Sequence, residues 1–351
     1  MAKGKLLLGL DIGSSAAKLC LLKEVRGKYS IEVVDREVLP QDAIVDGAIL
    51  DRTGVANALR NLIRRCKLKQ KQCAIAIAGY SVIVKRLRLS NMTDDELAEN
   101  IKWEVEQHIP YESKDVVYDT VVLGRNPAQN SMDILLVASK REVVQDYIGV
   151  CKDAGFDVKI VDVASFALQN MVETVYGEAR PDECIGVINI GASVTSMTMM
   201  TDGVTSFTRD ITIGGNQITE EIQKKLGINR DEAENFKTGN LGDGHAVIPR
   251  EVEEITEQVS QKIADEIKRS LMFFYETSGR ERVDKLILCG GVVKNSTTFR
   301  ILEKVIGESI QVANPFEHMG FNYKMYSPQR LNDLALESAI SLGLALRRDV
   351  E

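Results

Sequence analysis

The chain has 351 residues, with 44 Lys and Arg against 51 Asp and Glu, a net charge of −7 and 44% hydrophobic residues. At roughly 150 residues per domain this length predicts two domains, each able to bury a core, and 27% charged residues with seven prolines argue against long disordered tracts. The acidic balance supplies no overall field for nucleic acid or anionic lipid, so neither is expected as a generic partner.

The apolar run Leu6 to Leu10 starts like a secretory leader, but Asp11 cuts it short, and no stretch of about 18 apolar residues occurs. A soluble cytosolic protein is expected. Residues 5–24 read as a strand, the turn Asp11-Ile12-Gly13-Ser14-Ser15 and a second strand. A helix over 52–66 and a buried strand at Ala74 to Gly79 follow. The basic cluster Arg64, Arg65, Lys67, Lys69 and Lys71 has no interleaved aromatics and reads as a solvated helix end.

Beyond Gly79 the texture changes. A strand over 81–89 leads to Thr93 and Glu96, a capping box with Met92 and Leu97 at staple positions, and a helix carrying Leu97, Ile101 and Val105 that must stop before Pro110. Strands at Val116 to Leu123 and Met132 to Ala138 flank a loop, Gly124 to Ser131. A helix from Lys140 to Ala154 and a strand from Asp157 to Val163 complete the pattern. Residues 81–155 therefore read as a small α+β insertion with its own core.

Residues 185–200 repeat the first hairpin, with the turn Gly191-Ala192-Ser193 between apolar strands. Ile12, Gly13 and Ser15 match Ile190, Gly191 and Ser193 at an offset of 178, about half the chain, which predicts a duplicated domain. Residues 216–280 read as mainly helical, with Val252, Ile255, Val259, Ile263, Ile267 and Leu271 facing their own core. A strand over 283–295 enters Gly290-Gly291, and a final helix, Leu334 to Arg348, carries small residues (Ala335, Ala339, Gly343, Ala345) suited to close packing. Cys20, Cys66, Cys73, Cys151, Cys184 and Cys289 lack metal-like pairing and read as reduced, buried thiols; His108, His245 and His318 lack ligand-like neighbours.

Consecutive backbone N–H groups in glycine and serine turns form anion nests. Three such turns end strands here, at Asp11 to Ser15, Asn189 to Ser193 and Leu288 to Val292, and none fits GxxxxGK[ST] or GxGxxG. Their order resembles the superfamily of actin, heat-shock chaperones and sugar kinases. The resemblance implies an α/β, actin-like, duplicated two-domain fold enclosing ATP. It implies that Asp11, Gly13, Ser14, Ser15 and Lys18 form a first phosphate motif, and Asn189, Gly191, Ala192 and Ser193 a second. Gly214, Gly215, Glu234 and Lys237 would embrace ribose and purine, and Gly290, Gly291, Val292 and Asn295 the adenosine. Asp11 would face Mg²⁺ through water.

The insertion sits where FtsA-like proteins place a subdomain 1C. The implied division is 1–80 with 156–180 (1A), 81–155 (1C), 181–215 with 284–351 (2A) and 216–283 (2B). Because Arg347 to Glu351 follow directly on the last helix, the amphipathic membrane helix of FtsA is not expected. With Trp103 to Tyr111 (WEVEQHIPY), Asn314-Pro315-Phe316 and Gly343 to Arg347, the chain resembles the PilM family of type IV pilus assembly. That resemblance implies a cytoplasmic protein at the inner membrane, recruited by the N-terminal peptide of PilN, with other contacts to pilus proteins including motor ATPases, and self-association. Asn189 replaces the usual carboxylate, and Phe166 falls where actin has its water-orienting Gln, so ATP binding without efficient turnover is expected. The alternatives are an FtsA-like division filament or a small-molecule kinase of the same superfamily.

Overall fold

The computed structural model describes residues 4–240, 248–307, 309–322 and 324–349. In chain order, β1 (Lys5–Leu6), β2 (Leu8–Ile12), β3 (Ala16–Val25) and β4 (Lys28–Val38) precede a short hairpin of β5 (Ile44–Val45) and β6 (Ala48–Ile49). The next helix, α1 (Arg52–Arg65), begins at Asp51, whose carboxylate accepts the Gly54 N–H at 2.8 Å. β7 (Gln72–Ile77) is buried along almost its whole length, as its apolar run requires.

The insertion follows as β8 (Val82–Ser90), α2 (Asp94–His108), β9 (Val116–Asn126) and β10 (Ser131–Lys140). Thr93 and Glu96 form the predicted capping box, and α2 packs Leu97, Ile101 and Val105 against Leu87, Ile134 and Leu136. The expected loop from Gly124 is shorter, because β9 continues to Asn126 and Pro127 opens a 3-10 turn that Asn130 closes.

Next come α3 (Arg141–Ala154) and β11 (Asp157–Val163). Expected as part of the insertion, α3 instead buries Tyr147, Val150, Cys151 and Ala154 among Leu59, Leu62 and Ile75 of the first core. β11 lies in the first sheet, on the segment 156–180 expected in the first domain. Periodicity reveals that a helix has an apolar face, not which core that face meets.

The second half contains α4 (Ala164–Tyr176), β12 (Cys184–Ile190), β13 (Thr195–Thr201), β14 (Val204–Ile211), α5 (Gly215–Leu226), α6 (Arg230–Thr238) and α7 (Arg250–Ser278). It continues through β15 (Lys285–Cys289), α8 (Ser296–Ile306), β16 (Ile310–Val312), β17 (Gly320–Phe321), α9 (Pro328–Ala335), α10 (Ala339–Ala345) and β18 (Arg348–Asp349). All six predicted apolar positions of α7 lie in the second core, beside Ile188 and Leu288.

Duplication is visible in the sheets. The first runs β11-β7-β2-β3-β4 and the second β16-β15-β12-β13-β14, with the same parallel and antiparallel neighbours in the same places. Gly13 N–H donates to Ala16 O at 3.1 Å, and Gly191 N–H donates to Val194 O at 2.9 Å, so both turns close by the same bond. A β-bulge lies between Leu21 and Leu22 in one sheet and between Met199 and Met200 in the other, again at the offset of 178.

Two differences concern the last segment. β17 adds to the β4 edge of the first sheet, and the Val34 N–H donates to Tyr326 Oη at 3.0 Å, so the chain returns to the first half before its last helices. The expected single helix from Leu334 is interrupted between α9 and α10: Leu336 O accepts the Gly290 N–H at 2.8 Å, and Ser338 Oγ donates to Leu334 O at 2.7 Å. α4 and α10 then cross at close range. A methyl on Gly343 would overlap the Ala167 carbonyl, and one on Gly9 the Ser341 carbonyl. No helix among the described residues is long and apolar enough to cross a membrane.

Candidate functional site

The site begins at the β2–β3 hairpin. Asp11 and Lys18 face each other across the ladder and form an ion pair at 3.2 Å, both largely buried. Ser14 is half-exposed and Ser15 exposed; the Ser15 carbonyl accepts the Leu39 N–H at 2.9 Å and anchors the turn. The Lys18 ammonium lies 2.9 Å from where a Gly13 Cβ would be, so a side chain at Gly13 would displace the cation.

The second hairpin is braced by the segment after β14. Gly191 O accepts the Gly215 N–H at 3.0 Å, and Ala192 O accepts the Asn216 N–H at 2.7 Å. The Asn216 amide donates to Ser193 Oγ at 3.1 Å and is itself held by Arg230 at 2.8 Å. Gly214 has no room for a side chain against the carbonyls of Gly191 and Ala192, and a methyl on Gly215 would meet Val292 at 2.7 Å.

A capping box of Asn229 and Glu232 starts α6, which places Glu234 and Lys237 one turn apart. The two form an ion pair at 2.6 Å, and Lys237 Nζ also donates to Gly215 O at 3.2 Å and Thr219 Oγ1 at 2.9 Å. Thr219 donates in turn to Glu234 at 2.7 Å. Burial lowers the Lys237 pKa, with Glu234 acting against that shift.

The third turn leaves β15. Gly290 has φ +100° and ψ 157°, a region only glycine visits, and a Cβ there would overlap the Ile190 carbonyl. Asn295 caps α8 through Thr298 N–H at 3.0 Å and donates to Lys237 O at 3.3 Å. The sequence-predicted residues of the second half therefore form one connected surface: Gly191 touches Gly214 and Gly215, Gly215 abuts Val292, Lys237 reaches both Gly215 and Asn295, and Gly290 packs on Ile190.

Glu337 joins this surface to the first half. Its carboxylate accepts Lys294 at 2.5 Å and Arg36 of β4 at 2.9 Å, and Gly291 lies against its side chain. Burial alone would push the Glu337 carboxyl up, but Lys294 and Arg36 offset this, with a contribution from nearby Lys18, and hold it low. Sequence reasoning missed this bridge, although an acid immediately before a small-residue helix was a usable signal. It also missed Asn216, Thr219 and Arg230, whose roles depend on tertiary neighbours.

Asn189, half-buried on β12, accepts a weak hydrogen bond from the Cys289 thiol at 3.6 Å, while burial pushes that thiol up to about 12. Phe166 is half-exposed on the first turn of α4. Arg65, expected at a solvated helix end, turns onto β4 and pairs with Asp35 at 2.7 Å and with Glu37. None of the six cysteines is in a disulfide, Cys66 being half-buried and the others buried. Among the described residues no group of three or more His, Cys, Asp or Glu could hold a metal; His108 and His318 each stand beside one glutamate, and His245 lies outside the described residues.

Two sheets of duplicated topology, glycine turns on their strand ends and a pair of closely crossing helices define an actin-like α/β fold. The sequence profile described as type IV pilus assembly protein PilM matches residues 9–349, and the chain belongs to that family. It is 24% identical to cell division protein FtsA of Streptococcus pneumoniae serotype 2 over 98% of this chain and 80% of that protein. A solved PilM-PilN type IV pilus biogenesis complex aligns with TM-score 0.85 and 23% identity over 98% of both chains. MreB5 of Spiroplasma citri bound to AMPPNP aligns with TM-score 0.53 and 14% identity, over 96% of this chain and 93% of that one.

Proposed function

We propose that this protein is an ATP-binding, cytoplasmic scaffold of type IV pilus assembly that takes the N-terminal peptide of PilN. The observation that carries the nucleotide reading is the pair of hairpin turns, closed by the same hydrogen bond at Gly13 and Gly191 and flanked by the buried cations Lys18 and Lys237. A side chain at Gly13 would meet the Lys18 ammonium and one at Gly191 the Val194 carbonyl, so both turns need glycine to leave room for a phosphate. Gly290, Gly291, Val292 and Asn295 would take the adenosine, with Gly214, Gly215, Glu234 and Lys237 around ribose and purine. That MreB5, which shares this fold, binds AMPPNP supports a nucleotide ligand.

Mg²⁺ fits the residues present. It usually binds through one or two carboxylates, water and substrate phosphates, and Asp11 supplies one carboxylate at the first turn. The ion would neutralise phosphate charge. Asn189 carries no charge to hold metal or activate water, and Phe166 has no polar group to orient it, so turnover is expected to be weak or absent.

Binding without turnover leaves ATP the task of favouring one relative arrangement of the halves, which requires different affinities for the two states. Family membership and the similarity to the PilM-PilN complex support a PilN peptide held between the insertion and the first domain, giving membrane attachment through a partner. Contacts with motor ATPases and self-association belong to the same reading. Calorimetric titration of the full chain with Mg-ATP tests its premise: saturable binding is expected, and no heat at millimolar nucleotide with an intact fold would overturn it.

A further inference from the structure

The insertion leaves the first core through a short 3-10 turn, Gly79–Ser81, between β7 and β8. Gly79 sits at φ +81°, so the chain reverses there in a conformation that suits glycine. This root contacts the second half of the molecule. Tyr80, 58% exposed, extends its hydroxyl to Thr212 Oγ1 at 3.3 Å, and beside it burial raises the Asp210 carboxyl while the Ser196 hydroxyl and the Gly79 N–H act against that shift.

Asp210 and Thr212 lie on the strip that braces the second hairpin. Asp210 stands opposite Ser196 in the β13–β14 ladder, so its carboxyl lies between its own sheet and the insertion root. Beyond Thr212, Thr195 Oγ1 donates to Ile213 O at 2.8 Å, and Gly214 packs on the Gly191 and Ala192 carbonyls. Three residues separate Asp210, and one separates Thr212, from Gly214, which packs on the second turn.

The base of the insertion sheet has its own irregularity. Ser139 stands opposite Val82 in the β8–β10 ladder, and its hydroxyl is buried without a hydrogen-bond partner. A buried hydroxyl without a partner is destabilising, so this level of the sheet is its least satisfied. On the return side Arg141 of α3 holds the insertion by donating to Lys114 O at 3.1 Å and Val116 O at 2.7 Å. The insertion is thus fixed to the first domain at one side of its base and to the second domain at the other.

We propose that Asp210 and Thr212 form a latch on the insertion root, through which the position of the second hairpin turn sets the seating of the β8–β10 sheet. This rests on the reading that nucleotide binds at that turn. A ligand that draws the turn toward the first hairpin moves the strip, and with it the root, so the insertion responds without touching the ligand.

Hydrogen-exchange mass spectrometry on the full chain tests the latch, with and without Mg-ATP, for wild type, Asp210→Ala, Asp210→Asn and Tyr80→Phe. In nucleotide-free protein Asp210→Ala should raise exchange over residues 79–90 at least fivefold, whereas Asp210→Asn, which keeps an acceptor, should stay near wild type. Mg-ATP should change exchange over 79–90 and 131–140 in wild type, and this response should shrink at least twofold in Tyr80→Phe, which removes one exposed hydroxyl and leaves the fold intact. Unchanged exchange in Asp210→Ala, or a full ATP response in Tyr80→Phe, would overturn the latch. If calorimetry shows no ATP binding to wild type, the nucleotide reading fails separately, and the nucleotide-free comparison alone decides whether the root contact holds.

Discussion

Replacing Gly214 with alanine tests whether the second hairpin turn is held by the segment that follows β14. The backbone there is extended, with φ −164°, so conformation is no obstacle. Space is the obstacle. An added methyl lies 2.5 Å from Gly191 O and 2.6 Å from Ala192 O, both backbone atoms that cannot swing aside. Relief requires the segment to retreat, stretching the Gly215 to Gly191 bond of 3.0 Å and the Asn216 to Ala192 bond of 2.7 Å. Two weakened hydrogen bonds at about 1 kcal/mol each and overpacking of about 1–3 kcal/mol predict a loss of roughly 3–5 kcal/mol. For a domain of this size each kcal/mol lowers the melting temperature by about 2–4 °C, so differential scanning fluorimetry should show a fall of roughly 6–20 °C. Nucleotide affinity should drop at least tenfold. Gly124→Ala is the control, since nothing lies within 4 Å of its added Cβ, and it should melt with wild type. A Gly214→Ala protein that melts and binds ATP like wild type would refute the bracing argument.

Lys18→Met removes a charge-assisted hydrogen bond worth about 1.5–3 kcal/mol, so ATP affinity should fall roughly 10- to 150-fold by calorimetry while adenosine affinity barely changes. Equal losses for both ligands would take Lys18 away from the phosphates. Asn189→Asp restores a carboxylate at the second hairpin; steady-state phosphate release should rise modestly and PilN-peptide affinity should hold, and a loss of peptide binding would tie Asn189 to the partner instead. The Glu183 carboxyl is held at about 2 by the Arg180 amide, Lys285 and the Arg180 guanidinium, against an ordinary value of 4.5. Its contribution is complete above about pH 4.5 and disappears as pH falls toward 2, because the unfolded chain takes up the proton first. Wild type should therefore lose melting temperature over that window more steeply than Glu183→Gln, and parallel curves would contradict the assignment.

The duplication was legible because a hairpin turn is local chemistry: Gly13 and Gly191 close their turns within three residues, and the same short pattern must recur wherever the same turn is built. Helix α7 was legible for a similar reason, since its spacing of three and four directly encodes one buried face. The break between α9 and α10 was not, because the Leu336 carbonyl is taken by Gly290, 46 residues earlier, and no local signal announces that bond. Nor could spacing assign α3 to the first core, or show that β17 would join β4 across the chain. The glycines of the candidate site could be read from their turns, whereas Glu337 became visible only when β4, Lys294 and the start of α10 came together.

The most direct test of a nucleotide-responsive pilus scaffold is calorimetric titration of a PilN N-terminal peptide into the full chain, with and without saturating Mg-ATP. A coupling of about 1–3 kcal/mol predicts peptide affinities that differ by roughly 5- to 150-fold, with the reciprocal change in ATP affinity when peptide is present. Identical peptide affinities in protein known to have ATP bound would contradict it.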